Sequence, residues 1–456
     1  MPKRIAAICL TVLLLLSMLP QLVFAEYSLP QFVRIGLMHG NGAPKTIKVE
    51  SEHGFLLGNY NQREFTERIQ TEETSLTVSI TDGTIQVLDA QGTLLDSATG
   101  SIGIKPNASG KEQKLRIDGV EYRGALDCIP DGTVMTVVNV VFLDHYLYGV
   151  ISREMSPSWH IEALKAQAVC ARNYVAVHLN KHGSAGFDLC NNVHCQAYSG
   201  TRVETKGSYA PVDETTRQVL TYDGKLAELY YSSSMGPTTE DVKNVWGNSV
   251  PYLISVDNSY EDTENIPNGV WSDVLTVEEA TTIMRNKGYD VGDVTEIKVL
   301  EYTPNGRVLK MEVKGTKSKK TFERESCRTL FNTVTKSQMF SVTPVKEGET
   351  QQAVLYLTDG TKTGEASDLK KLTILTASGR KTLSGSALYA SDGKTQASYA
   401  AVKKVAKTTG FRFDGTGWGH SVGMSQYGAK GMAEAGHSYV EIVLHYFPGT
   451  NLENVY

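Results

Sequence analysis

The period of the apolar residues changes abruptly near Ser156, and that change rules out a fold of one class. Before it, Leu76, Val78 and Ile80 alternate with Thr77 and Ser79, the two-residue period of a half-buried strand. The dipeptides Asp82-Gly83, Asp118-Gly119 and Asp131-Gly132 lie between apolar runs, which is hairpin chemistry. Val134 to Val141 is a further β-branched run. After it, Ile161, Leu164, Ala168, Ala171 and Val175 follow at helical spacing, behind Ser156 as N-cap and Pro157 as first helical residue. This helix is expected to end near His182-Gly183. The expected class is α+β: a β-rich N-terminal region, a mixed core with one prominent helix, and a small β insertion before the C-terminal segment.

At roughly 150 residues per domain, the length allows about three domains. Thr276 to Asn286 reads as a helix, with Thr276 and Glu279 spaced as a capping box. Ile297 to Val313 reads as two strands around Asn305-Gly306. Residues 346–409 are rich in Lys, Thr, Ser and Gly, with turns at Asp359-Gly360 and Asp392-Gly393 and alternation over Leu372 to Thr376. Ser425 to Ala435 reads as a helix closed by Gly436, followed by a Ser438/Glu441 capping box. The expected divisions are 1–25, 26–114, 115–345, 346–409 and 410–456.

Residues 1–25 have the pattern of a secretory signal peptide: Lys3 and Arg4, an apolar run from Ile5 to Leu19, then Val23-Phe24-Ala25 as a cleavage site. The run is short for a membrane-spanning helix, which needs about 20 residues. Retention as an anchor is the alternative, and only then is a membrane a partner. Either way the body is expected outside the cytoplasm. The net charge of −5 and the lack of a basic run argue against nucleic acid as partner. Five cysteines follow the leader: Cys128, Cys170, Cys190, Cys195 and Cys327. Their odd number and wide spacing do not make a disulfide scaffold.

Four segments carry candidate chemistry. Glu154 falls at the expected strand-to-helix junction, where apolar neighbours can strip water from a carboxyl group and raise its pKa. Protonating a glycosidic oxygen requires such a group; the plain alternative is a glutamate favoured by a helix N-terminus. In the helix, Lys165 and Arg172 share a face with Glu162, which a solvated, ion-paired surface also explains. Cys190, His194 and Cys195 suit zinc, with His182 upstream as a possible fourth ligand; a local disulfide or free thiols are the alternatives. Ser232, Ser233 and Ser234 form a hydroxyl cluster, and no G-x-S-x-G elbow accompanies it. The loop from Gly415 to Gly428 lacks nucleotide-binding spacings but offers Trp418, His420, Gln426 and Tyr427 among glycines that permit close backbone approach. Aromatic faces and polar tips of this kind suit sugars.

The segments Leu147-Tyr-Gly-Val-Ile-Ser-Arg-Glu154-Met, Glu162-Ala-Leu-Lys-Ala-Gln-Ala-Val, Tyr231-Ser-Ser-Ser and Gly417-Trp-Gly-His-Ser-Val-Gly-Met-Ser-Gln-Tyr-Gly together resemble the stage II sporulation protein D family, which includes the LytB amidase enhancers. The resemblance implies a lytic transglycosylase acting on peptidoglycan glycan strands stripped of stem peptides, with Glu154 as the single acid/base. It implies glycan contacts from Lys165, Gln167, Arg172, the three serines, Trp418, His420, Gln426 and Tyr427. It also implies a structural zinc on Cys190, His194 and Cys195, for which His182 is the choice of fourth ligand. Two positions depart from the family pattern: Ser156 stands where proline is usual, and Met235 where Gly or Cys is usual. The rival expectation is a non-catalytic enhancer of a cell-wall N-acetylmuramoyl-L-alanine amidase. A zinc hydrolase is weaker, because no H-E-x-x-H pattern occurs.

Overall fold

The structure, a computed structural model, describes residues 29–455 except Asn268 and the stretches 359–362, 367–372, 377–378, 383–388, 392–395 and 399–400. The expected leader, the turns at Asp359-Gly360 and Asp392-Gly393, and Leu372 lie outside the described residues. Six helices of eight residues or more occur among the described residues: α1 (Leu143–Glu154), α2 (Ile161–Val177), α3 (Lys206–Asp213), α4 (Val277–Asn286), α5 (Gln426–Glu434) and α6 (Tyr439–Tyr446). Strands outnumber them, and the fold is α+β with a β-rich N-terminal region. The described residues form two compact units: those within Met1–Lys243, Asn248–Asp262 and Ser421–Tyr456, and those within Asn244–Gly247 and Thr263–His420.

In the first unit a seven-stranded sheet runs in the spatial order Leu189–Cys190, Phe32–Met38, Val134–Phe142, Ala125–Asp131, Ile102–Pro106, Phe55–Asn61, Glu64–Thr71. A six-stranded sheet runs Val120–Arg123, Lys114–Ile117, Thr46–Glu50, Ser75–Thr81, Thr84–Leu88, Leu94–Ala98. The alternation over Leu76–Ile80 is realised, with Leu76, Val78 and Ile80 buried and Thr77 and Ser79 half-exposed. Asp82 and Asp118 take the left-handed backbone of tight hairpin turns, each followed by a glycine in the same region. The boundary expected at 115 separates nothing, because strands on both sides of it share the same two sheets.

Strand Val134–Phe142 runs straight into α1, which the sequence reading did not anticipate. Its buried residues Leu143, Tyr146, Leu147, Val150 and Ile151 have helical spacing. The strand-to-helix change carries no side-chain cap at Phe142 and no Gly or Pro, so no local signal marks it. Residues 156–160 then form a turn, with the Trp159 N–H donating to the Ser156 carbonyl at 3.0 Å. Helix α2 therefore begins at Ile161 rather than Pro157. Its cap is His160, whose Nδ1 accepts the Glu162 N–H at 3.4 Å. It ends at Val177, earlier than expected, with His178 as C-cap.

Helix α2 is buried from Ala163 to Val175 save Lys165, on all faces rather than one. Such a helix is the centre of a unit, not its surface. Its alanines leave room for α1, α3, α5 and α6 to pack against it. Each larger apolar side chain it buries contributes about 1.5–3 kcal/mol. The chain closes on this assembly with strand Asn451–Asn454, paired antiparallel to Gln218–Tyr222.

The second unit has its own core, which includes Trp271, Met284, Val308, Phe331, Phe340 and Phe413. Helix α4 starts at the anticipated capping box: Thr276 accepts from and donates to Glu279. Strands Val294–Tyr302 and Val308–Gly315 flank Asn305-Gly306 as read from the sequence. The expected insertion limits, 346 and 409, fall inside two long paired strands, Phe340–Thr358 and Ala401–Thr416. The units divide at Lys243/Asn244, Gly247/Asn248, Asp262/Thr263 and His420/Ser421.

Candidate functional site

Glu154 is the last residue of α1, followed by extended Met155. This corrects the sequence reading: it lies at a helix C-terminus, where the dipole disfavours a carboxylate. Its side chain is half-buried. Oε1 accepts the Ala197 N–H at 3.4 Å, and Oε2 accepts the Gln426 side-chain amide at 3.2 Å. Burial raises its pKa above the usual glutamate value, outweighing those two hydrogen bonds and the charge of Arg153.

Gln426 opens α5, capped by Ser425, whose Oγ accepts the Gly428 N–H at 3.1 Å. The Gln426 amide also donates to Gln167 Oε1 from α2 at 3.5 Å. Gln167 is fully buried, and its Nε2 has no hydrogen-bond partner among the described residues. Both glutamines thus act on Glu154 or on each other. Behind them, the Gln196 amide donates to Tyr231 Oη at 3.1 Å and to the Ala171 carbonyl at 3.3 Å, and its Oε1 accepts from Tyr146 at 3.2 Å. Burial, with the Glu154 charge adding to it, holds Tyr231 far above the ordinary tyrosine pKa, so it stays neutral.

A second carboxylate, Glu261, organises the neighbouring loops and was missed from the sequence, since no local motif marks it. It is 6% exposed. It accepts from Ser234 Oγ at 2.5 Å, Ser425 Oγ at 2.5 Å, Asn258 Nδ2 at 2.8 Å, Met235 N–H at 2.9 Å and Gly236 N–H at 3.0 Å. Ser234 is therefore a buried structural donor rather than a glycan ligand. Ser232 is also buried, with its Oγ accepting the Ser421 N–H at 3.3 Å. Ser233 is half-buried, and its carbonyl accepts the Tyr427 N–H at 3.1 Å. The glycine-rich loop passes close to protein: a Cβ on Gly423 would lie 2.2 Å from the Tyr230 carbonyl, and one on Gly428 would lie 2.1 Å from Asn258 Oδ1.

Two further expected glycan ligands have structural partners. Lys165 pairs with Glu162 at 2.9 Å and Glu214 at 2.8 Å. Arg172 is fully buried and donates to Asp144 at 3.3 Å, the Gln218 carbonyl at 3.2 Å and the Val212 carbonyl at 3.4 Å. It ties α2 to α1 and to the end of α3. Trp418 and His420 belong to the second unit. Trp418 is 40% exposed with the Lys336 ammonium 5.5 Å from its ring centre, and His420 lies 5.1 Å from the Trp246 ring.

His182, Cys190, His194 and Cys195 converge, their candidate ligand atoms all within 4.8 Å of one another. His182 Nε2 lies 3.4 Å from Cys195 Sγ, and His194 Nδ1 lies 3.6 Å from each thiol. Neighbouring donors around a tetrahedral zinc are roughly 3.3–3.8 Å apart, so the spacing fits a four-coordinate ion. Asn192 shapes the turn, its Oδ1 accepting from the His194 N–H at 2.9 Å. Cys190 sits on an edge strand paired in parallel with Phe32–Met38, and the His182 ring stacks on Phe187. Gly36 makes room for that phenyl ring, since a Cβ there would lie 2.7 Å from it. All five cysteines of the described chain are free thiols, so the disulfide alternative is not realised.

Residues 131–222 match the family model described as stage II sporulation protein, SpoIID. This stretch carries α1, Glu154, α2 and all four Cys/His residues. The chain carries a SpoIID domain. Residues 248–364 match a second model, a domain of unknown function, most of which lies in the second unit. An amidase enhancer of Bacillus subtilis is 32% identical over 77% of this chain, but the chain spans only 47% of that relative. A stage II sporulation protein D of Bacillus amyloliquefaciens is 24% identical over 68% of this chain and 74% of its own length. An uncharacterized protein of Brachyspira hyodysenteriae is 26% identical over 83% of this chain and 85% of its own length. Among the described residues no helix is long and apolar enough to cross a membrane.

Proposed function

We propose that this SpoIID protein acts outside the cytoplasmic membrane as a lytic transglycosylase on the glycan strands of peptidoglycan, with strands stripped of stem peptides as its substrate. The observation that supports this is one carboxyl group, Glu154, shielded at a helix C-terminus and addressed by an amide side chain and a backbone N–H. Its raised pKa favours the acid form that the first step needs. Glu154 gives its proton to the glycosidic oxygen as the C1–O bond breaks. The carboxylate then takes the proton of the muramyl 6-hydroxyl, whose oxygen attacks C1 and closes a 1,6-anhydro ring. Glu154 ends protonated and no water is consumed. One carboxyl group suffices, unlike the paired carboxylates of glycosidases that use water. Glycan contacts are assigned to Ser233 and Tyr427, whose backbones meet beside Gln426.

His182, Cys190, His194 and Cys195 would hold zinc as a closed structural site, with no open position for chemistry. Bound there, the ion would fix the segment that carries Gln196 and Ala197 toward Glu154. The test is incubation of the protein and its Glu154→Gln variant with denuded glycan, followed by mass spectrometry. Anhydro-muramyl ends from the native protein alone are expected. Their absence from both folded proteins would overturn the reading.

The amidase enhancer among the relatives favours a second reading, in which the same residues hold glycan without cutting it and present it to a cell-wall amidase. Acceleration of a purified amidase with no glycan fragments released would select it.

A further inference from the structure

Glu154 is followed five residues later by Trp159, in the turn between α1 and α2. The Trp159 ring meets the Tyr427 ring with centroids 4.8 Å apart and planes at 56°. Tyr427 directly follows Gln426, the residue whose amide reaches Glu154 at 3.2 Å. The pair is thus anchored to the same two segments that carry the acid and its amide donor. Both rings are half-buried, so each keeps a face or edge toward solvent.

The backbone under the pair is fixed. Met155 is buried, and the Trp159 N–H closes the turn on Ser156. Gly207 lets α3 approach this turn so closely that a Cβ there would lie 2.5 Å from the Pro157 carbonyl. The Tyr427 N–H is held by the Ser233 carbonyl. The Lys430 ammonium sits 5.8 Å from the Trp159 ring centre and pairs with Glu434 at 3.1 Å, so it braces the indole from its own helix.

The polar ends of these side chains are uncommitted. Among the described residues, the Trp159 indole N–H, the Tyr427 hydroxyl and the Ser233 hydroxyl have no hydrogen-bond partner. Aromatic residues placed for packing alone usually bring such groups to a protein partner. A packed aromatic pair with uncommitted polar ends instead matches what a sugar offers: a flat ring of C–H groups edged by hydroxyls.

We propose that Trp159 and Tyr427 form a stacking subsite for one pyranose ring of a glycan strand, next to the bond that Glu154 addresses. The ring's C–H face lies on the aromatic pair, and the indole N–H, the phenol and Ser233 take its hydroxyls. The inference rests on reading the Glu154 site as glycan-binding, but not on cleavage. It adds Trp159, which no sequence pattern singled out.

Binding is measured in the Glu154→Gln background, where no turnover is expected, with denuded peptidoglycan glycan as the probe, by calorimetry and by quenching of tryptophan fluorescence. Trp159→Ala is expected to weaken binding about tenfold or more, the loss of an aromatic contact with its buried area. Trp159→Phe should retain affinity within about threefold while losing the saturable quench, and Tyr427→Phe should weaken binding a few-fold. Circular dichroism and the thermal midpoint report folding; if Trp159→Ala does not fold, the quench in Trp159→Phe decides. Unchanged affinity in folded Trp159→Ala, an undiminished quench in Trp159→Phe, or no glycan binding by the Glu154→Gln parent would each overturn the proposal. Binding that follows this pattern while the native protein yields no anhydro ends would leave the subsite standing and remove the transglycosylase reading.

Discussion

At Glu154 two influences oppose each other, and burial is the larger. A carboxyl group whose folded pKa is raised favours the folded state at low pH, and that contribution is lost as pH rises through the folded pKa. Glu154→Gln removes the cost of burying the charge, so its thermal midpoint at neutral pH should exceed that of the native protein. Equal midpoints across pH 4–8, a window set on the order of the reference carboxylate range and above, would show that Glu154 is not held as an acid. The Gln426 donor works against burial, so Gln426→Leu should raise the Glu154 pKa further. Carbon-13 NMR of labelled glutamate side chains would read this directly, and a fall would show that the amide does not serve the ionised form.

At the scale of elements, Glu261 is the fastening of the loops around the site. Replacing it with alanine leaves five donors without their acceptor, and a buried donor left unmade costs about 1–3 kcal/mol. Glu261→Ala should therefore lose several kcal/mol in denaturant titration, and Glu261→Gln, which keeps one acceptor oxygen, distinctly less. The Cys/His cluster makes a parallel case. Thiols must lose their protons to bind zinc, so affinity should rise with pH, and binding should release protons measurable in weakly buffered solution. Cys190→Ser should weaken zinc binding and speed amide exchange at Ala197; unaltered exchange would separate the cluster from the Glu154 site.

What was legible in the sequence follows the reach of each signal. Local chemistry was readable: the Asp-Gly hairpins, both Thr/Ser-to-Glu capping boxes and the helix at Gln426 all lie where spacing put them. Helix α1 was not, because it grows from a strand with neither a cap nor a breaker between them. The proximity of Cys190, His194 and Cys195 was visible, while His182 joins them only through the fold. Lys165 and Arg172 were expected as glycan ligands from the resemblance alone; helical spacing shows which residues share a face, not what covers that face. Glu261 and Trp159 gave no signal at all, since their partners come from distant segments.

At the scale of the molecule, each unit has its own core, so each should unfold on its own account. Calorimetry should resolve two transitions, and Glu154→Gln and zinc removal should move only one of them. A single transition shifted as a whole by either change would show that the units unfold as one.

The first unit is also discontinuous: its last segment, Ser421–Tyr456, is separated from α1 by the whole of the second. The amide that holds Glu154 lies 272 residues downstream of it. At about 5–20 residues per second, a ribosome needs roughly 15–50 s to travel that far. Throughout that time the nascent chain has the carboxyl group but neither Gln426 beside it nor Ser425 on Glu261. The site is thus completed by the final stretch of synthesis, and a chain stalled or clipped before Ser421 carries Glu154 without the amide that holds it.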